Sequence, residues 1–376
     1  MKIVSSGELL TIPSTGRPQT ASIEQDTTRR QEEMLFNRLL KRQRHLRKWA
    51  ARTGAGVYRL YDRDIPEIPL ALDYYHNDEI QAVSGALYKR PYEKDHDEEE
   101  RWLCEMRAAA AEALGLDRQN IFLKLRRRQQ HRLPRSENKF YAACKTDTQY
   151  QKESGGGVEM VIKENGLSFI VNLSDYIDTG IFPDLRLLRK MIMTEASGKT
   201  VLNLFCYTGS FSVYAAKGGA RYVDSVDMSS TYLKWALRNG ELNGVKILPE
   251  RSDVFRFLDS AESAGKRWDI IIVDPPAFSN SKKMKGNPLG GIFDIKRDYQ
   301  FLLSKCLRLL SGRGKLFFCA HVHVNAGSFG LKTGEICNSF KSIEPEKIIS
   351  IKDITGQIRD EDFRDRRMPL CYLITK

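Results

Sequence analysis

The residues best suited to chemistry in this chain are Asp227, Asp253 and Asp274, the single-glycine turn Tyr207-Thr208-Gly209, and the run Asp274-Pro-Pro-Ala-Phe-Ser-Asn-Ser-Lys that ends at Lys282. A carboxylate about twenty residues beyond a glycine turn suits a ribose diol, two hydroxyl donors meeting two oxygens, and Asp227 holds that place. A dinucleotide site wants G-x-G-x-x-G, with a helix N-terminus under a pyrophosphate. This turn has one glycine and puts Tyr207 where close phosphate approach needs no side chain. A ligand without phosphates fits better, and S-adenosylmethionine, an adenosine with an amino-acid tail, is the one expected. Pro275 and Pro276 fix φ and remove two N–H donors, which stiffens the strand end and leaves their carbonyls free to accept from a planar base. Phe278 can stack on that base. The plainer alternative is an α/β sheet whose strand-end acids only cap helices.

These residues need a scaffold that brings strand ends together. The run 200–210 opens as a short apolar strand and runs into the tight turn, and Phe211–Lys217 then takes up a helical pattern. Tyr222–Val226 ends on Asp227, with Ser229 a plausible N-cap for the next helix. A third segment reaches Asp253, and the apolar run 269–276 carries Asp274. Alternating buried strands and helices predict a mostly parallel sheet covered on both faces, with the ligand at the carboxyl ends of its strands.

Ahead of this unit the sequence predicts a helix from Met34, strands at Val57–Tyr61 and Leu70–Tyr74, a helix at Asp97–Leu114, a strand at Ile121–Leu125, and two more at Glu159–Val161 and Leu167–Asn172. The expected organisation is a flexible extension over 1–33, an α+β domain over 34–178 and an α/β domain over 179–376. The segment 179–186 opens a linking helix that reaches Ala196, with Asp184 and Arg186 beside the cleft or simply capping it.

The chain has 376 residues and a formal net charge of +12, which points to a polyanionic partner. The first helix carries Arg38, Lys41, Arg42, Arg44, Arg47, Lys48 and Arg52 with no acid between Arg38 and Arg52. A second cluster, with Arg126, Arg127 and Arg128, leads into what looks like a long basic hairpin arm. Arg42, Arg44, Lys48, Arg126, Arg127, Arg128 and Lys282 are the candidate RNA contacts; a solvated helix face and a disordered loop are the bland readings. No apolar run is long enough to span a membrane, and the first thirty residues lack a signal-peptide centre. Seven cysteines without a C-x-x-C pair predict reduced thiols in a cytoplasmic protein, without metal.

From about Met34 onward the chain resembles the guanine-N7 half of the bacterial bifunctional 23S ribosomal RNA guanine-N2/guanine-N7 methyltransferases. The motifs that carry the resemblance are Leu46-Arg-Lys-Trp-Ala, Tyr58-Arg-Leu-Tyr-Asp, Gln149-Tyr-Gln-Lys, Asn172-Leu-Ser-Asp-Tyr, Asp178-Thr-Gly-Ile-Phe, Asn203-Leu-Phe-Cys-Tyr-Thr-Gly-Ser, Asp227-Met-Ser and Asp274-Pro-Pro-Ala-Phe-Ser-Asn-Ser-Lys. It implies a class I, Rossmann-like methyltransferase domain with a seven-stranded sheet, preceded by an RNA-contacting domain. S-adenosylmethionine is the implied donor and 23S ribosomal RNA, or a large-subunit precursor, the implied partner. By motif match, Asn203, Phe205, Tyr207, Thr208, Gly209, Ser210, Asp227, Met228, Ser229, Asp253, Val254 and Asp274 line the cofactor, while Asp274, Pro275, Pro276 and Phe278 form the catalytic set. Amino methyltransferases of the Asp/Asn-Pro-Pro-Tyr type put the aromatic directly after the prolines; Ala277 intervenes here, so the geometry must differ. The stretch from Gln130 to Thr148 is longer than the family pattern, and guanine-N2 activity is not implied.

Guanine N7 holds an in-plane lone pair, so its methylation needs positioning and water exclusion but no general base. The rival chemistry is cytosine-C5 methylation, which needs a thiolate to add to C6 and would draw on Cys319; that residue otherwise reads as a buried small hydrophobe. A non-catalytic RNA-binding assembly factor is the third reading.

Overall fold

The computed structural model describes residues 18–88, 90, 95–125, 157–279, 293–321, 350–363 and 368–376. The expected basic arm with Arg126–Arg128, the 130–148 insertion and Lys282 lie outside the described residues, as does the side chain of Phe278.

Helix α1 (Pro18–Thr53) sends Leu35, Leu39, Leu46 and Trp49 into the N-terminal core at helical spacing. The helix starts well upstream of Met34, so residues 18–33 do not form the expected flexible extension. Polar residues conceal this from the periodicity, but Gln31 is buried and accepts a 2.6 Å hydrogen bond from the Trp102 indole. Strands β1 (Val57–Asp62), β2 (Leu70–His76), β3 (Gln81–Leu87) and, after α2 (His96–Leu114), β4 (Ile121–Leu125) form one sheet in the order β1-β2-β3-β4. The β3–β4 pair is parallel, with α2 as its crossover. Strand β3 was not expected. Its run of small residues lacks β-branched weight, and Gly85 is needed because a Cβ there would lie 2.7 Å from the Ala71 carbonyl of β2.

The hairpin of β5 (Glu159–Glu164) and β6 (Leu167–Asn172) leads into the linker, a 3₁₀ turn at Pro183–Leu185 followed by α3 (Arg186–Glu195). The large sheet then builds from β7 (Thr200–Leu204), α4 (Ser210–Lys217), β8 (Tyr222–Asp227), α5 (Ser230–Leu242), β9 (Leu248–Arg251), α6 (Val254–Ser263) and β10 (Trp268–Val273). A short ribbon of β11 (Phe278–Ser279) and β12 (Phe293–Asp294) precedes α7 (Ile295–Leu309), β13 (Leu310–Ala320), β14 (Ser350–Asp353) and β15 (Leu370–Thr375). The order is β14-β15-β13-β10-β7-β8-β9, parallel from β13 to β9, with β15 antiparallel to both neighbours. This is the expected seven-stranded, mostly parallel sheet. Strand β7 is buried along its length and Ile270–Val273 of β10 likewise, as apolar strands covered on both faces must be. From β7 the chain runs one way through β8 and β9, then returns to β10 on the other side. The crevice at the carboxyl ends of β7 and β10 is therefore the switch point.

The β5–β6 hairpin packs on both units. Met160, Ile162, Phe169 and Val171 share a core with Val57 and Tyr75 of the N-terminal sheet and with Val213 and Tyr214 of α4. The amide of Ile170 donates to Asn239 of α5 at 3.0 Å, and the Trp235 indole donates back to the Ile170 carbonyl at 3.0 Å. Two buried arginines of α3 complete the joint. Arg189 makes a two-pronged bond to Glu164 at 2.7 and 2.8 Å. Arg186 reaches Asp360 at 2.9 Å, Asp362 at 3.2 Å and the Val57 carbonyl at 2.6 Å. Burial alone would raise the Glu164 pKa, but the two guanidiniums hold it below the usual range.

Candidate active site

The loop from β7 into α4 is held in a conformation that side chains resist. Phe205 and Tyr207 have φ of 55° and 51°, a left-handed region that costs a bulky residue about 1 to 3 kcal/mol. Several bonds impose it: Cys206 N–H donates to Val226 O at 3.0 Å, Gly209 N–H to Cys206 O at 2.9 Å, and Tyr207 N–H to the Asp227 carboxylate at 3.0 Å. Gly209 has φ of 76°, and a Cβ on it would sit 2.6 Å from that of Ala236 in α5. Thr208 is fully buried; its hydroxyl donates to Gly180 O, and its carbonyl accepts from Asn239 at 2.9 Å. Ser210 begins α4.

Asp227 ends β8 with one carboxylate oxygen bonded by Tyr207 N–H and the other by Ser229 N–H at 2.8 Å. Burial raises its pKa to about 6 against those amide donors. Each oxygen keeps a second lone pair, so the group is fixed in place and can accept from two hydroxyls. Ser229 caps α5 through Tyr232 N–H, and Met228 packs beside the core. Asp253 is largely buried, and one of its oxygens caps α6 through Phe255 N–H at 2.9 Å and Arg256 N–H at 3.3 Å. The Val254 side chain lies wholly in the core. Asn203 is turned beneath α4, where its amide donates to Ser212 at 2.9 Å; it supports the loop from behind.

Asp274 follows β10, and its carboxylate meets His321 Nε2 at 3.1 Å, just beyond the end of β13. His321 was not among the residues singled out from sequence, although a polar residue directly after a buried parallel strand is a signal for this crevice. Burial works against its charge, yet Asp274, Asp184 and Asp178 together push its pKa up to about 9. The Asp184 carboxyl pKa is raised by burial, and its Oδ1 is buried without a hydrogen-bond partner among the described residues. Phe182 joins the two halves of the site, its ring 5.4 Å from Tyr207 and 6.0 Å from His321. Pro275 is buried and Pro276 partly exposed. After them the backbone enters the β11–β12 ribbon, in which Phe278 pairs with Asp294; Phe293 of that ribbon packs on Phe205 at 5.6 Å. Asp274, Asp184 and Asp178 surround the one imidazolium, an acidic setting that suits a cationic ligand.

Two expectations change. Cys319 is fully buried in the core under α3, accepting a 3.1 Å contact from the Cys371 thiol, and burial raises its own pKa well above that of a free thiol. It is not placed to form the thiolate that cytosine-C5 chemistry needs. Arg42 is only 7% exposed and donates to the carbonyls of Leu60, Arg59 and Asp362, so it is a buried joint and not an RNA contact. Arg44 and Lys48, on the other face of α1, are exposed. Among the described residues, no helix is long and apolar enough to cross a membrane, and no cluster of three or more His, Cys, Asp or Glu is arranged to hold a metal.

A family of S-adenosylmethionine-dependent methyltransferases matches residues 76–342. Ribosomal RNA large subunit methyltransferase K of Neisseria meningitidis serogroup B is 40% identical over 348 residues, 90% of this chain and 86% of that protein. Ribosomal RNA large subunit methyltransferase K/L of Stutzerimonas stutzeri is 37% identical over 354 residues, 93% of this chain but only 43% of that protein. A Streptococcus mutans protein described as a SAM-dependent methyltransferase shares the fold at a TM-score of 0.65 and 22% identity, over 92% of this chain and 81% of its own. The seven-stranded sheet, the loop clamped to Asp227 and these likenesses agree: the chain belongs to the family of S-adenosylmethionine-dependent methyltransferases that includes ribosomal RNA large subunit methyltransferase K.

Proposed function

We propose that this chain methylates N7 of a guanine in large-subunit ribosomal RNA. The names of its relatives support the RNA substrate. The observation that carries N7 is the state of the crevice at the end of β10. Its imidazole is bound to Asp274 and held protonated near neutral pH, and Cys319 is sealed in the core. An imidazolium cannot serve as a general base and a buried thiol cannot add to a pyrimidine. Guanine N7 requires neither.

S-adenosylmethionine supplies an electrophilic methyl group when bound. Asp227 would accept from its ribose hydroxyls, with the Phe205–Ser210 loop and Met228 bordering the nucleoside and Asp253 and the Val254 backbone the adenine. The carbonyls of Pro275 and Pro276, together with Phe278, whose side chain lies outside the described residues, would hold the guanine. As the purine gains positive charge, Asp274 and Asp184 favour the cation electrostatically. The N7 edge faces a deep, narrow groove in A-form RNA, so the target base has to be unpaired or flipped out. Arg44 and Lys48 meet RNA phosphates, as do Arg126, Arg127, Arg128 and Lys282.

The test is to label large-subunit rRNA with the purified protein and a radioactive methyl donor, then digest it to nucleosides. Label in N7-methylguanosine is expected. Label in 5-methylcytidine or N2-methylguanosine refutes the reading, and failure of the protein to bind S-adenosylmethionine in calorimetry leaves the assembly-factor role.

A further inference from the structure

We propose that the cavity between α2, the turn after it and the start of β4 is a phosphate-binding site that holds the RNA backbone away from the methylated base. The cavity measures about 260 Å³ and is lined by Arg107, Arg118, Lys124 and Ser174 together with apolar residues of β4, Ile121 and Leu123 among them. Arg107 comes from α2, Arg118 from the 3₁₀ turn that follows, Lys124 from β4, and Ser174 from the loop after β6. Four separate segments thus converge, three of them bringing a cation.

What marks this cavity is that its two arginines are unspent. Neither the Arg107 nor the Arg118 side chain has a hydrogen bond or ion pair among the described residues, and Arg107 Nε is buried without a partner. Other arginines of the same unit are committed: Arg59 to Asp73 at 2.5 Å, Arg63 to Asp62 at 2.8 Å, Arg90 to Glu99 at 2.7 Å. The acid beside Arg118 in sequence is occupied too, since Asp117 accepts from Gln119 N–H at 3.1 Å and from its side-chain amide at 3.3 Å. A buried N–H donor left unpaired is costly, and sites that tolerate one usually pair it in a bound state. Two guanidinium forks that bond no carboxylate among the described residues match the oxygens of a phosphodiester, which accept bidentately, although the Asp175 carboxylate is close by, accepting from the Ser174 hydroxyl at 3.2 Å.

The location suits a long polymer. In the sequence β4 is followed directly by Arg126, Arg127 and Arg128, and the Ser174 hydroxyl accepts from Val158 N–H at 2.9 Å. Lys124 donates to the Tyr176 carbonyl, and the Tyr176 ring lies 5.9 Å from Trp235 of α5, the helix that starts just past Asp227. A phosphate held here is therefore fixed relative to the crevice through packed side chains. The proposal rests on RNA being the substrate.

The experiment compares the wild-type protein with Arg107→Gln/Arg118→Gln, measuring affinity for large-subunit rRNA fragments over a series of salt concentrations. The double variant should bind about tenfold more weakly at moderate salt, and the slope of log affinity against log salt should shrink by about 0.7 to 0.9, the share of the one phosphate no longer neutralised. Arg107→Lys/Arg118→Lys should recover the slope but only part of the affinity, because lysine keeps the charge without the fork. S-adenosylmethionine affinity and melting temperature should match wild type in both. Unchanged RNA affinity and slope in the glutamine variant, with wild type binding normally, overturns the site alone. A wild-type protein that does not bind the RNA overturns the RNA reading and the site with it.

Discussion

Replacing Asp227 by Asn keeps the shape of the side chain and removes its charge. Ribose hydroxyls donating to a carboxylate lose about 1 to 1.5 kcal/mol when the acceptor becomes neutral, so S-adenosylmethionine should bind about 5- to 13-fold more weakly. The same residue predicts a pH dependence. Burial lifts its carboxyl to about 6 in the free protein, and the ionised form is the one that accepts both hydroxyls. Affinity should therefore be present above about pH 6 and fall below it. With about nine-tenths ionised at pH 7 and one-tenth at pH 5, the loss between them is about tenfold. Calorimetry at fixed ionic strength across that range measures both effects, with a thermal melt to confirm that the loop clamped by Tyr207 and Ser229 N–H survives. Equal affinity of wild type and Asp227→Asn at pH 7, or a wild-type affinity that does not change between pH 5 and 7, refutes the ribose assignment.

Asp274→Asn should lower turnover more than RNA affinity, because its charge acts on the cation that develops during transfer. Single-turnover rates at saturating donor should stay within about twofold from pH 6 to 8.5, and a tenfold rise per pH unit would show that a proton has to leave. Cys319→Ala should retain wild-type turnover, measured by methyl incorporation; a dead but folded variant would restore the thiolate chemistry. Arg44→Glu/Lys48→Glu should weaken RNA binding and flatten its salt dependence without altering donor affinity, and an unchanged salt slope would make that face merely solvated. Arg189→Ala leaves buried Glu164 with Arg186 at 3.4 Å and the Tyr214 hydroxyl at 2.9 Å, and should cost about 3 kcal/mol, read as a lower denaturation midpoint; a loss under about 1 kcal/mol would count against the ion pair as a joint.

The sheet was legible because strands such as Thr200–Leu204 and Ile270–Val273 are buried on both faces and so leave uninterrupted apolar runs bounded by turn residues. Asp227 and Asp274 were legible because parallel strands put polar residues at their carboxyl ends. Strand β3 was not, since Ser84, Gly85 and Ala86 carry no strand preference and are fixed by the neighbours on either side. Arg42 misleads because its position outweighs its type. It stands three residues after Leu39 and four before Leu46, on the apolar face, where a long side chain is buried only if carbonyls await it. Asp184 and His321 come together from segments more than a hundred residues apart, a proximity that no local pattern encodes.

The joint made by Arg186 and Arg189 bears on how a large polyanion is handled. These side chains tie β1, the β5–β6 hairpin, α4 and the loop at Asp360–Asp362 into one buried network, leaving no hinge between the N-terminal sheet and the crevice at that point. The protein therefore presents a pre-set template, and adaptation falls to the nucleic acid. A transcript region that is already open should be modified readily, whereas the same sequence locked in a stable helix should resist, with the cost of melting it appearing in the apparent affinity. Timing during ribosome assembly would then be governed by when the RNA folds.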